Sequence, residues 1–164
     1  SASIDEATPQ IVQSICECLD WKVGEIWRVD GETKLLTFVK AWHLPSRDFA
    51  EFASASLPFT FPPGVGLPGR VCESRKPLWI RNLAKDSNFL RISLATKAGL
   101  HCGFGFPILL GEETLGAMVF FSREVREPDH DVLQMMANIG SQIGQFIERR
   151  RAESRLSLHG RCPP

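Results

Sequence analysis

The chain has 164 residues, 43% of them hydrophobic, enough to bury a full core in one domain rather than two. Its 19 basic and 19 acidic residues cancel, so no global field draws it to nucleic acid or to an anionic membrane surface. No apolar run approaches the roughly 18–20 residues that span a bilayer, and the composition predicts a soluble, cytoplasmic protein with no membrane insertion.

Thr8 and Pro9 read as a helix N-cap and a first-turn proline, followed by Ile11, Val12, Ile15 and Leu19 at helical spacing up to about Asp20. Two strand-like segments follow, 22–30 and 34–43, joined at the turn signal Asp30-Gly31. After Leu44-Pro45, Ser46 is placed to cap a short helix through Arg47, Phe49, Phe52 and Ala53. Residues 61–69 are too rich in Pro and Gly for a regular element, so helix is expected only over 70–74. Leu78-Trp79-Ile80 predicts a very short strand, 82–88 a polar loop, and 89–98 a helix stopped by Gly99.

The stretch 98–122 then predicts a central antiparallel hairpin. Its apolar runs, 100–110 and 115–121, are separated by Gly-Glu-Glu-Thr. Alternation sets Cys102, Phe104, Phe106 and Ile108 on one face and His101, Gly103, Gly105 and Pro107 on the other. Neither face is polar, so both must be covered, and one of the two covering layers can hold a pocket. The expectation is that the glycine face lies under closely packed helices and the phenylalanine face lines the pocket. Pro128 and Asp129 open the longest helix, in which Val132, Met136, Ile139, Ile143 and Phe146 keep heptad spacing. This stripe covers the sheet, meets a partner helix, or does both. Gly140 and Gly144 would let another helix approach closely. Beyond Phe146 the seam continues as Arg150 and Glu153, so the helix outlasts its domain's core.

Several of these residues, in this order and spacing, resemble a GAF domain of the kind found in bacterial multi-sensor histidine kinases. They are Trp21 to Trp27, Pro63-Gly64-Val65-Gly66-Leu67-Pro68-Gly69-Arg70-Val71, Pro77 to Ile80, Ala98 to His101 with Phe106-Pro107-Ile108, Leu115-Gly116, and Phe120-Phe121-Ser122. A run such as Gln142 to Arg150 leads by helix into the next module in those kinases. The resemblance implies an α+β fold. In it a central antiparallel sheet of five to six strands carries the N- and C-terminal helices on one face and short helices and loops over a pocket on the other. Residues 1–155 form the single domain and 156–164 a tail. A start at Ser1 rather than Met fits a segment of a longer protein, and processing would look the same.

The chemistry open to such a domain narrows on inspection. Bilin-binding relatives carry a cysteine, commonly followed by histidine, which by spacing back from Pro107 falls at Leu90 and Arg91; the attachment cysteine is absent. The Asn-Lys-Phe-Asp-Glu signature of cyclic-nucleotide relatives is missing too. Haem would use His43 or His101. Cys16, Cys18, Cys72, Cys102 and Cys162 are odd in number, irregular in spacing and without a C-x-x-C pair, which predicts free thiols and no metal centre. They also fail to match the paired cysteines of the free methionine sulfoxide reductases that share the fold. The Gly64 to Gly69 loop lacks the lysine of a phosphate-binding loop, and Pro68 removes an amide donor, so it reads as a tight turn over the pocket.

The sequence therefore predicts a non-catalytic sensory or regulatory domain that needs no cofactor. Its expected partners are a second copy of the chain, a downstream kinase or other output domain, and a small, flat, mostly apolar ligand. The pocket candidates are Trp27, Trp42, His43, Phe61, Trp79, Phe89, Arg91, His101, Cys102, Phe104, Phe106 and Phe120. The dimerisation and signalling candidates are Val132, Met136, Ile139, Ile143 and Phe146. A ligand-free dimerisation spacer and a haem or redox sensor are the alternatives.

Overall fold

The expected hairpin forms the centre of the molecule. In the computed structural model, which describes residues 4–160 with side chains to position 156, strands β5 (Cys102–Leu110) and β6 (Glu113–Ser122) pair antiparallel across a turn at Gly111, whose φ is +61°. Strands β1 (Val23–Val29), β2 (Leu36–His43), β3 (Thr60–Phe61) and β4 (Leu78–Ile80) complete a six-stranded antiparallel sheet in the order β3-β2-β1-β6-β5-β4. The Asp30 carboxylate closes the β1–β2 connection by accepting from the Glu32 and Thr33 amides, bonds that lower its pKa below the ordinary carboxylate value.

Helices α1 (Ile4–Ala7), α2 (Pro9–Leu19) and α6 (His130–Gly160) cover one face of this sheet. Helices α3 (Arg47–Ser56), α4 (Gly66–Ser74) and α5 (Ile92–Lys97), with a 3-10 turn at Leu83–Lys85, cover the other. Most element starts follow the sequence signals. Ser46 caps α3 by accepting from the Phe49 amide, and Asp129 caps α6 by accepting from Asp131 and Val132. Gly99 ends the α5 segment at φ +76°. Thr8 differs: it makes no cap bond, and its hydroxyl donates to the Ile4 carbonyl, tying α2 to α1. Helix α4 also starts earlier than expected, at Gly66, because a proline in the first turn, here Pro68, loses no intrahelical bond there. Helix α6 continues through residues 156–160, the first part of the segment read as a tail.

The two sheet faces are the reverse of the expected arrangement. Cys102, Phe104, Phe106 and Ile108 pack under α2 and α6, where Phe104, Phe106 and Phe120 form a stacked ladder with Trp79. The bare side of β5 faces α4, with Leu67 Cγ 3.5 Å from where a Cβ on Gly105 would stand. The reason is complementarity of bulk. Helix α6 brings Gly140 and Gly144 to the strand, so the sheet supplies the large side chains there; α4 brings Leu67 and Val71, so the sheet supplies glycine. A Cβ at Gly140 would overlap the Pro107 carbonyl oxygen and one at Gly144 the Leu109 carbonyl oxygen. These glycines thus serve contact with the chain's own strand, not the approach of a second helix. The heptad stripe divides accordingly: Met136 and Ile143 are buried on the sheet with Ile147, Val132 and Ile139 are half-buried, and Phe146 is 40% exposed.

Candidate functional site

On β1, the side chains of Val23, Glu25 and Trp27 enter the layer of α3, α4 and α5. Glu25 is a carboxylate in an otherwise apolar row and is fully buried. Its partner arrives from the turn before α5: Arg91 Nη1 donates to Glu25 Oε2 at 2.8 Å, and neither side chain has any exposure. Arg91 Nη1 also donates to Ser56 Oγ at 2.9 Å, and Trp27 Nε1 donates to Glu25 Oε1 at 3.0 Å. Five rings enclose the guanidinium, with centroids at 5.1 Å for Trp27, 5.3 Å for Phe52, 5.5 Å for Phe61, 5.8 Å for Phe89 and 5.4 Å for Phe121. Such rings attract a cation through their quadrupoles, more so where water is excluded. The result is a charge-neutral polar pair inside an aromatic cage.

The loop beside the cage is held by side-chain hydrogen bonds and an ion pair. Asn88 Oδ1 accepts from the Gly66 amide at 3.1 Å, Asn88 Nδ2 donates to the Gly64 carbonyl at 2.9 Å, and Arg70 pairs with Asp86 at 2.8 Å. The Gly66 amide, which a phosphate would need, is thereby used. On the outer side of the same layer, α3 and α5 border a cleft of about 620 Å³ lined by Phe52, Ala55, Leu94 and Ala98, with the exposed Arg47 and Lys97 also along it.

Of the pocket candidates, Trp27, Phe61, Phe89 and Arg91 come together in this cage. Trp42, Trp79, Cys102, Phe104, Phe106 and Phe120 lie in the opposite layer, under the terminal helices. His101 is exposed, and His43 is half-buried at the end of β2 with Nδ1 2.9 Å from the Leu44 carbonyl oxygen. Glu25, Phe52, Ser56 and Phe121 belong to the cage and were not anticipated. The signal for Glu25 was present, since one acidic residue inside the apolar strand Val23-Gly24-Glu25-Ile26-Trp27 requires a buried partner.

Three of the four described cysteines, Cys16, Cys72 and Cys102, are unsuited to thiol chemistry. Burial pushes Cys16 and Cys72 up to about 12, and burial also raises Cys102. Cys18 is exposed, and Cys162 lies outside the described residues. Alkylation of the native protein with iodoacetamide, followed by peptide mass mapping, is expected to label Cys18 promptly and to reach Cys16, Cys72 and Cys102 only after denaturation. Among the described residues no three His, Cys, Asp or Glu side chains converge on a metal position.

The family model described as "GAF domain" matches residues 1–148, which include the whole sheet and both covering layers. The chain belongs to the GAF family. The fold of this GAF domain is shared with the GAF domain of a phosphoenolpyruvate-protein phosphotransferase from Coxiella burnetii. That structure has a TM-score of 0.72 at 18% identity, covering 94% of this chain and 88% of the other. A domain of a putative two-component sensor histidine kinase from Sinorhizobium meliloti superimposes with a TM-score of 0.69 at 18% identity, over 96% of this chain and 99% of that one. Free methionine-R-sulfoxide reductase from Neisseria meningitidis gives 0.70 at 11% identity, over 88% and 77%. At these identities the likeness is one of fold. In sequence, 91 residues, 52% of the chain, are 33% identical to basic helix-loop-helix protein A of Pisum sativum and to its truncated form. The chain spans only 14% and 25% of those two proteins.

Proposed function

We propose that this GAF domain is a non-catalytic sensory and regulatory module of a kinase-type signalling protein. It couples a small-molecule site in the α3–α5 layer to helix α6 and pairs with a second copy of itself through the terminal helices. GAF domains typically act as regulatory or sensory domains in signalling proteins, which supports the general part of this reading.

The observation that carries it is the division of labour across the sheet. One layer holds the buried Glu25–Arg91 pair; the other holds a helix fastened to β5 that runs on from Ile147 to Gly160, about 20 Å at 1.5 Å per residue. Alongside α6 lies an apolar groove of about 300 Å³ bordered by Ala7, Ile11, Ile139, Gln142, Ile143 and Phe146. Phe146 is exposed there, so an identical helix pair from a second copy has apolar surface to cover. Sedimentation over a wide concentration range is expected to give a dimer for the 164-residue chain, and a monomer of unchanged circular dichroism for Phe146→Glu. A wild-type chain that stays monomeric throughout removes the pairing from the proposal.

A further inference from the structure

One edge of the buried Arg91 guanidinium is unmatched. Nη1 uses its hydrogens on Glu25 and Ser56, whereas Nε and Nη2 find no acceptor among the described residues although the side chain is fully buried. A buried donor left without an acceptor has given up its hydrogen bond to water and received nothing in return. The Nε and Nη2 hydrogens point side by side from one edge of the guanidinium plane, a fork that fits two acceptor lone pairs lying in that plane.

We propose that this edge recognises a small, flat, uncharged ligand bearing a carbonyl-type acceptor, held between the rings of the cage. Charge decides against an anion. Glu25 already neutralises Arg91, so a second carboxylate would bring an unbalanced negative charge into a site lined by Trp27, Phe52, Phe61, Phe89 and Phe121. A neutral amide, lactam or heteroaromatic carbonyl satisfies the fork without that penalty, and its apolar faces suit the aromatic walls. Access runs through the α3–α5 cleft. Phe52 lines the cleft and its ring stands over the Arg91 guanidinium, so this one side chain stands between the cleft and the cage.

Benzamide and benzoate are matched probes, alike in size and flatness and different in charge at the acceptor end. In 15N NMR spectra of the 164-residue chain, the Arg91 Nε–H signal, assigned through its own side-chain carbons, is expected to move on titration with benzamide. Benzoate is expected to bind at least tenfold more weakly, and Arg91→Lys to lose the response. Should Arg91→Lys fail to fold, the wild-type titration still decides. Benzoate binding as tightly as benzamide overturns the preference for a neutral ligand. No movement with either compound at millimolar concentration leaves the edge to water and overturns the proposal. The inference rests on reading the domain as ligand-responsive, but the two fail separately. A benzamide shift with no change in α6 hydrogen exchange defeats the coupling and leaves the site. An intact dimer with no benzamide shift defeats the site alone.

Discussion

Glu25→Ala is expected to lower the unfolding free energy by about 3–5 kcal/mol, because removing one member of a buried ion pair strands the other charge in the interior. The loss is large against a total stability of about 5–15 kcal/mol for a typical domain. Arg91 would keep only its bond to Ser56 and the ring faces, neither of which supplies a counter-charge. Trp27 Nε1 would lose its acceptor as well. Replacing both partners with apolar residues, as in Glu25→Leu with Arg91→Met, is expected to cost far less, since the desolvation of both charges disappears together with their attraction. Urea unfolding of the single and double variants measures the difference. A double variant close to wild type in stability would show that the pair is retained for something other than holding the fold. An equally unstable double variant would make the cage a structural device.

Gly144→Ala is expected to destabilise the domain by about 1–3 kcal/mol or more, the range of an overpacked interior. The sign is opposite to that of the same change on an exposed helix face, where alanine gains up to about 1 kcal/mol over glycine. The new methyl group would meet the Leu109 carbonyl, a backbone atom that no side-chain rotation can move aside. Gly140→Ala should behave alike against Pro107, while Gln145→Ala, on the exposed side of α6, should be close to neutral. Thermal melts of the three variants separate close approach to β5 from helix propensity.

These two sites also mark how far the sequence could be read. Strands β1, β2, β5 and β6 and helices α2, α3 and α6 follow from apolar periodicity with Asp30-Gly31, Ser46 and Asp129 at their ends, and the whole arrangement agrees with the GAF resemblance. Strand β3 was not legible, since two residues, Thr60 and Phe61, carry no period. The start of α4 was hidden because Gly66-Leu67-Pro68-Gly69 has loop composition, although its helical first turn tolerates proline. The orientation of β5 was beyond reach for a different reason. With Phe104 and Phe106 on one side and Gly103 and Gly105 on the other, both faces are apolar, and hydrophobicity cannot rank them. Their assignment depends on which covering helix is the bulkier, a property of elements far away in the chain. Arg91 was legible as a polar anchor, but its burial became visible only once Glu25 was seen to share its layer.

The glycine contacts of α6 also determine which motions the helix has available. Sliding it along β5, or turning it about its own axis, would carry a residue with a side chain onto the carbonyl of Pro107 or Leu109. Piston and gear movements meet these contacts, and in the coupling proposed above strand and helix would tilt together about β5. Because about 20 Å of helix lies beyond Ile147, a tilt of about 5° swings the far end by about 2 Å. In the proposed coupling, a small change in the curvature of the sheet would reach Gly160 as a sideways displacement.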